Sequence, residues 1–270
     1  MHYGVCCTSI KPVLSMSTTG ATDSATTTAG AADQRPWGVW ASLVWYLIIF
    51  EGAARLYDFS VAHTGLQQII GDSRILSGLS ATAAWGIQFL ILVLAVRMTR
   101  IPLRGYLAWT RPQFDSIALG ILAIAALYAA LVALTIVAGG GPATVSDYRS
   151  AVAAGASPWW FVLRWWPSFI LAPFVEESFF RGFLWRSVQF RFGDRAAFAL
   201  TSLLFAAIHY DYWAAGGVVD PVSVVQYLVT SAIYGWVRWR GGSTIATMIV
   251  HGATNLSPRL IVVLMSALLP

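Results

Sequence analysis

Charge is what this sequence has least of. Of 270 residues only 11% are Asp, Glu, Lys or Arg, under half of the roughly 25% carried by an ordinary soluble domain. A soluble globule, whose surface needs that charge, is excluded. Lysine occurs once, as Lys11, and glutamate three times, as Glu51, Glu176 and Glu177. Cysteine is confined to the adjacent Cys6 and Cys7, which offer no disulfide framework and no metal-ligand spacing. The first 34 residues have no apolar stretch of the length a secretory leader needs. From Ser15 to Ala32 they are almost all Ser, Thr, Gly and Ala, too polar and small to offset the entropy of ordering, so residues 1–36 are expected to form a disordered tail. Met16 is an alternative start to Met1. The excess of 17 basic over 12 acidic residues is scattered among apolar runs, so nucleic acid is not an expected partner.

What the chain has in quantity is apolar and aromatic surface, 57% hydrophobic residues and 13 Trp. A bilayer core takes about 20 apolar residues of helix. On that measure spans fall near 37–57, 76–98, 115–138, 159–185, 196–210, 222–238, 243–256 and 258–269. The last two could also be one helix broken at Asn255, Ser257 and Pro258. The expected architecture is therefore all-α, a polytopic transmembrane bundle of about eight spans filling a membrane domain over 37–270. Arginine and lysine alternate between the loops in a way that suits this count. Eleven lie in the tail and in every second loop, four in the others, and Arg164 and Arg181 inside a span. By the positive-inside rule both termini face the cytoplasm.

Ionisable groups inside apolar runs are the next signal, because lipid penalises them unless they converge on one another or on a site. Glu176 and Glu177 sit together in FILAPFVEESFFRGFLW, with Arg181 four residues after Glu177. Helical spacing pairs Glu177 with Arg181 and points Glu176 about 100° away, leaving one carboxylate spare. A buried ion bridge that locks the helix is the plain structural alternative. His209 ends the run ALTSLLFAAIHY, and His251 lies in TIATMIVHGATN with Asn255 one turn on, on the same face. His2 and His63 fall in polar segments and are expected to be solvated. Brought together, Glu176, His209, His251 and Asn255 are a carboxylate, two imidazoles and an amide donor. Those groups suit activation of water against a carbonyl.

At these residues the chain resembles the CPBP membrane proteases, a family of type II CAAX prenyl endopeptidases and bacteriocin-processing and immunity proteins. The three motifs of that family, Glu-Glu-x-x-x-Arg, Phe-x-x-x-His and His-x-x-x-Asn, occur in order as Glu176, Glu177 and Arg181, Phe205 and His209, and His251 and Asn255. The motif core spans about 159–256, and the first 150 residues carry no motif. The resemblance implies an eight-helix fold with an intramembrane catalytic cavity, in which Glu176 and His209 activate water, His251 and Asn255 hold the oxyanion, and Glu177 and Arg181 support the site.

The resulting expectation is an intramembrane endopeptidase that cuts a membrane-associated protein or peptide, lipidated or not, near the cytoplasmic face. The alternatives are a non-catalytic immunity or partner-binding relative and a proton-coupled transporter. No cofactor is favoured. Zinc held by Glu176, His209 and His251 stays open as an alternative, because two histidines and a carboxylate are a familiar zinc set. The one Lys against 16 Arg fits a GC-rich genome and so a bacterial plasma membrane, with membrane lipid as the surrounding partner. Three further features read as structural. Glu51 and Arg55 pair near an interface, Arg164 anchors among Trp159, Trp160, Trp165 and Trp166 of an aromatic belt, and Pro167 and Pro173 interrupt their helix so that freed backbone groups line the cavity.

Overall fold

The computed structural model describes residues 35–64, 74–137, 165–209 and 220–268. The tail, Lys11, Cys6, Cys7, Met16, His2, Arg149, Arg164, Trp159 and Trp160 lie outside the described residues. Of what is described 88% is helix and no part is strand, as the apolar runs require.

Helix α1 runs through Val39–Tyr46, a π turn at Leu47–Gly52 and Ala53–His63. Helix α2 is Arg74–Met98, α3 the single turn Leu103–Tyr106, and α4 Phe114–Val137. Helix α5 begins with a π turn at Pro167–Leu171, continues as Ala172–Glu177 and a second π turn at Ser178–Leu184, and enters Trp185–Ala207. Gly193, at φ 82 and ψ 177, breaks that last stretch, a conformation closed to a residue with a Cβ. The part beyond it, 194–207, is α6. Helix α7 is Pro221–Gly241 and α8 Thr244–Leu268. Asp220 starts α7 by accepting hydrogen bonds from the backbone N–H groups of Val222 and Ser223 at 3.1 and 3.2 Å, with Pro221 at the first helical position, where its missing N–H costs nothing.

Among the described residues three helices are long and apolar enough to cross a membrane by length and composition: Val39–Val61, Gly78–Met98 and Phe114–Leu134. Two expectations are corrected. The segments 243–256 and 258–269 form one helix, α8, whose 25 residues span about 37 Å at about 1.5 Å each. Pro258 is accommodated inside it, so these two segments are one helix and not two. The fourth segment begins its described helix near Trp165 and reaches past Leu184 to Gly193, longer at its C-terminal end than the run 159–185.

Helix α5 is the centre of the bundle. Every residue from Glu177 to Trp185 is buried, and Phe179, Phe180, Phe183, Leu184 and Trp185 form the core together with Ile49 of α1, Leu92 of α2, Tyr106 of α3, Phe205 of α6, Tyr234 of α7 and Val250 of α8. A helix apolar on all sides must be enclosed by others. Here α6, α7 and α8 pack around it, and α4 packs on α7 and α8. The interhelical contacts are specific as well as apolar. Ser42 of α1 hydrogen-bonds Ser187 at 2.7 Å, and the indole N–H of Trp37 donates to Ala95 O at 2.8 Å.

Candidate active site

The two π turns of α5 flank the single α-helical turn that carries Glu176 and Glu177. A π turn widens the ladder by one residue, so a carbonyl can be skipped, and such turns recur at functional sites. At the first, the N–H of Ala172 reaches back to Pro167 O and passes over Ser168 O. At the second, the N–H of Trp185 bonds Phe180 O and Gly182 O and passes over Arg181 O. Both skipped carbonyls are taken by side chains from other helices. Asn255 Nδ2 donates to Ser168 O at 2.7 Å. Arg238 Nε and Thr244 Oγ1 donate to Arg181 O at 2.9 and 3.3 Å. Pro173 interrupts the ladder by withholding the N–H that would bond Phe169 O, while the two skipped carbonyls are bonded by side chains of neighbouring helices.

Glu177 and Arg181 lie at the dry end of the site, each side chain wholly buried, with Arg181 NH1 3.4 Å from Glu177 Oε1. The guanidinium has further partners. Its NH2 donates to the backbone and side-chain oxygens of Ser231 at 2.9 and 2.8 Å, and its carbon lies 4.4 Å from the centre of the Phe205 ring, a cation–π contact strengthened by desolvation. The shortest bond to Glu177 comes from elsewhere, His251 Nδ1 at 2.9 Å. A carboxylate only accepts, so Nδ1 carries the proton and Nε2 faces away from Glu177. Nε2 lies 3.9 Å from Glu176 Oε2. Glu177, His251 and Glu176 therefore form a line that leads from a wholly buried carboxylate to one that is 14% exposed. Glu177 orients the imidazole as well as pairing with Arg181, a role that the spacing of the motif did not show.

His209 stands at the end of α6, where Nδ1 donates to Phe205 O at 2.7 Å, which leaves Nε2 as its basic nitrogen. Its ring lies against Phe205 at 4.5 Å and stacks on Tyr227 at 4.6 Å. Phe205 also meets His251 edge-on at 5.6 Å, so one aromatic ring touches both imidazoles and the guanidinium. The structure thus gathers Glu176, Glu177, Arg181 and His251 directly and His209 through Phe205. Asn255 lies one turn beyond His251, with a carboxamide hydrogen bond given to backbone. Among the described residues no three His, Cys, Asp or Glu side chains are grouped as a metal set. Glu176, His209 and His251 do not fit a zinc site as they stand, and no step below is routed through a metal.

Several residues at the site escaped the sequence reading. Tyr234 is buried and stacks on His251 at 4.7 Å and 25°, and Ser231 holds Arg181. With Arg238 they lie three and then four residues apart, on one face of α7, and a Ser, Tyr, Arg stripe on an apolar helix was the available signal. Gly252 was missed too. A Cβ there would sit 2.7 Å from Phe169 O, the carbonyl four residues before Pro173, which has no N–H to bond it. The bare Gly252 lets α8 approach that backbone. The remaining calls are plain. Glu51 and Arg55 are 3.8 Å apart with Arg55 82% exposed, a pair of little energetic weight, and His63 is exposed.

Compared with known proteins, residues 158–257 match the family described as Type II CAAX prenyl endopeptidase Rce1-like. That segment is similar to the Rce1-like family. It covers all three motifs, and the resemblance drawn from them is met. The UPF0177 protein YxdF of Lactococcus lactis subsp. lactis (strain IL1403) is 31% identical over 88 residues, which are 32% of this chain and 43% of that relative. The matched region is thus under half the length of the curated relative. No solved structure matches. Rce1-like proteins are a peptidase family, and with three membrane-length apolar helices the chain is an integral membrane protein.

Proposed function

We propose that this protein is an intramembrane endopeptidase that hydrolyses a peptide bond of a membrane-associated protein or peptide, at the cytoplasmic side of a bacterial plasma membrane. The observation that carries the reading is the line Glu177–His251–Glu176, at 2.9 and 3.9 Å, with Arg181 behind it. Glu177 and Arg181 cancel in charge, so the working pair is Glu176 and His251, which hold one proton between them. With the proton on His251 Nε2, Glu176 is a carboxylate and can take a proton from water as the water oxygen bonds to the substrate carbonyl carbon. The imidazolium, held in place by Glu177, donates Nε2–H to the oxygen that becomes negative, a contact stronger in the transition state than before it. His209 Nε2 accepts the water's second hydrogen bond. Glu176 then passes its proton to the amide nitrogen as the C–N bond breaks, releasing an amine and a carboxylic acid. Asn255 is the second candidate for the oxyanion.

Glu176→Gln tests the reading. It preserves shape and removes the base, so cleavage falls by at least about a hundredfold, the scale of a general-base contribution, while insertion is unchanged. Comparing membrane-protein termini across the proteome with and without Glu176 identifies the substrates and shows whether they carry a lipid. Identical termini in both would leave an immunity or partner-binding role, and a proton-linked solute flux lost with Glu176 would indicate a transporter.

A further inference from the structure

We propose that α7 supplies a positioning residue for each imidazole of the site: Tyr227 holds the plane of the His209 ring and Tyr234 that of His251, so that both Nε2 atoms are aimed at the reacting groups. For its effect on turnover the proposal rests on the hydrolytic reading above, but the ring geometry stands apart from that reading.

A hydrogen bond at Nδ1 does not by itself fix an imidazole. The torsion that turns the ring about its bond to Cβ is broad and roughly two-fold, so a ring anchored at Nδ1 can still swing its far edge. His251 is anchored there by Glu177 at 2.9 Å and His209 by Phe205 O at 2.7 Å. In both, the nitrogen left for chemistry is Nε2, on the edge that swings. What limits the swing is the face of a neighbouring ring. Tyr234 stacks on His251 with centres 4.7 Å and planes 25° apart, and Tyr227 stacks on His209 at 4.6 Å and 30°. Phe205, inclined at 41° to His209 and 81° to His251, closes another side of each ring and lies less parallel to either than the tyrosine does. Both tyrosines come from one unbroken helix, Pro221–Gly241. They are seven residues and about 10 Å of rise apart, and Tyr227, Ser231 and Tyr234 follow at spacings of four and three, on a single face. Ser231 holds the Arg181 guanidinium, whose carbon is also 5.5 Å from the centre of the Tyr234 ring. One face of α7 therefore references both imidazoles and the guanidinium to one another. An N–H given to a developing oxyanion prefers an angle above about 150° and weakens steeply below about 120°, so a swing of about 30° at His251 uses up that tolerance. The same swing at His209 turns its acceptor nitrogen from the water.

The test uses full-length protein in lipid nanodiscs with isotope-labelled histidine, and compares at each tyrosine Phe, which keeps the ring, with Leu, which keeps apolar bulk without it. With four histidines in the chain the spectrum is small, and His209→Gln and His251→Gln assign it. Wild type should show nuclear Overhauser contacts from His209 to Tyr227 and from His251 to Tyr234, with the ring protons of both histidines displaced by the tyrosine ring currents. Absence of those contacts would overturn the proposal without any measurement of turnover. Tyr227→Leu should move the His209 signals and Tyr234→Leu those of His251, each with kcat down at least about tenfold and KM within about twofold. Tyr227→Phe and Tyr234→Phe should keep the displaced signals and a kcat within about twofold of wild type. A Phe variant as impaired as its Leu counterpart would give the work to the hydroxyl and overturn the role of that ring. A Leu variant with moved signals and unchanged kcat would make the stack packing alone, and one that raises only KM would make the tyrosine a substrate contact; either overturns the assignment. Where a Leu variant fails to fold, the wild-type contacts and the Phe variant decide. If Glu176→Gln leaves termini unchanged, the hydrolytic reading fails, and the spectra still decide where the two rings lie.

Discussion

Replacing Glu177 by Gln separates the two adjacent glutamates by energy. The substituted amide keeps an oxygen that can accept from His251 Nδ1 and from Arg181, but the Arg181 charge loses its only carboxylate within 4 Å among the described residues. Two unit charges 3.4 Å apart attract by about 5 kcal/mol at an effective dielectric constant of about 20. Breaking such a buried pair costs roughly 3–5 kcal/mol, because the remaining ion is uncompensated. Arg181 retains Ser231 and the Phe205 ring, so the lower end of that range, about 3 kcal/mol, is expected. Among the described residues Glu176 has no cation within 4 Å except through His251 Nε2 at 3.9 Å, and Glu176→Gln should change stability by less than about 1 kcal/mol. Reversible unfolding in mixed micelles, followed by tryptophan fluorescence, measures both. Arg181→Met alone should cost about as much as Glu177→Gln. The double variant Glu177→Gln with Arg181→Met should cost less than the two summed, by roughly 2–3 kcal/mol, since it removes the stranded charge. Equal losses for Glu176→Gln and Glu177→Gln, or additive single variants, would refute this division of labour.

Three other outcomes follow from the same geometry. Gly252→Ala must push α8 from Phe169 O, from 2.7 Å toward the 3.4 Å of an ordinary contact; unfolding should show about 1–3 kcal/mol lost, the scale of overpacking, and turnover should fall with it. Phe205→Leu keeps apolar volume but removes the ring face under Arg181 and the edge toward His251; it should cost about 1–2 kcal/mol in the same unfolding assay, and Phe205→Ala about 3–5 kcal/mol. Elemental analysis of purified active protein is expected to find well under one zinc per chain, and activity lost on chelation and restored by zinc would overturn the metal-free mechanism.

The all-helical class, the membrane setting and the family were legible because each rests on local chemistry. Apolar runs of membrane length leave the backbone no partner but itself, and three motifs at one-turn spacings mark groups that lipid would otherwise reject. The pairing of Glu177 with Arg181 was legible for the same reason, as a contact within one helix. Helix count at the C-terminus was less so: Asn255, Ser257 and Pro258 read as a break, yet α8 runs through them, because packing of its preceding turns on α5 and α4 outweighs one missing backbone donor.

Which groups meet across helices was a tertiary matter. By itself the sequence determined that two carboxylates, a guanidinium, two imidazoles and a carboxamide must be hidden from lipid together. Nothing in their spacing said that Glu177 would bind His251 more closely than Glu176 does, that Phe205 would touch both imidazoles, or that Asn255 and Arg238 would hold carbonyls of α5. Those contacts depend on the π turns at Pro167–Leu171 and Ser178–Leu184, each of which rotates the following residues and exposes one carbonyl. A π turn is set by the balance between the helix's own ladder and the donors presented by its neighbours, so only the assembled bundle decides it.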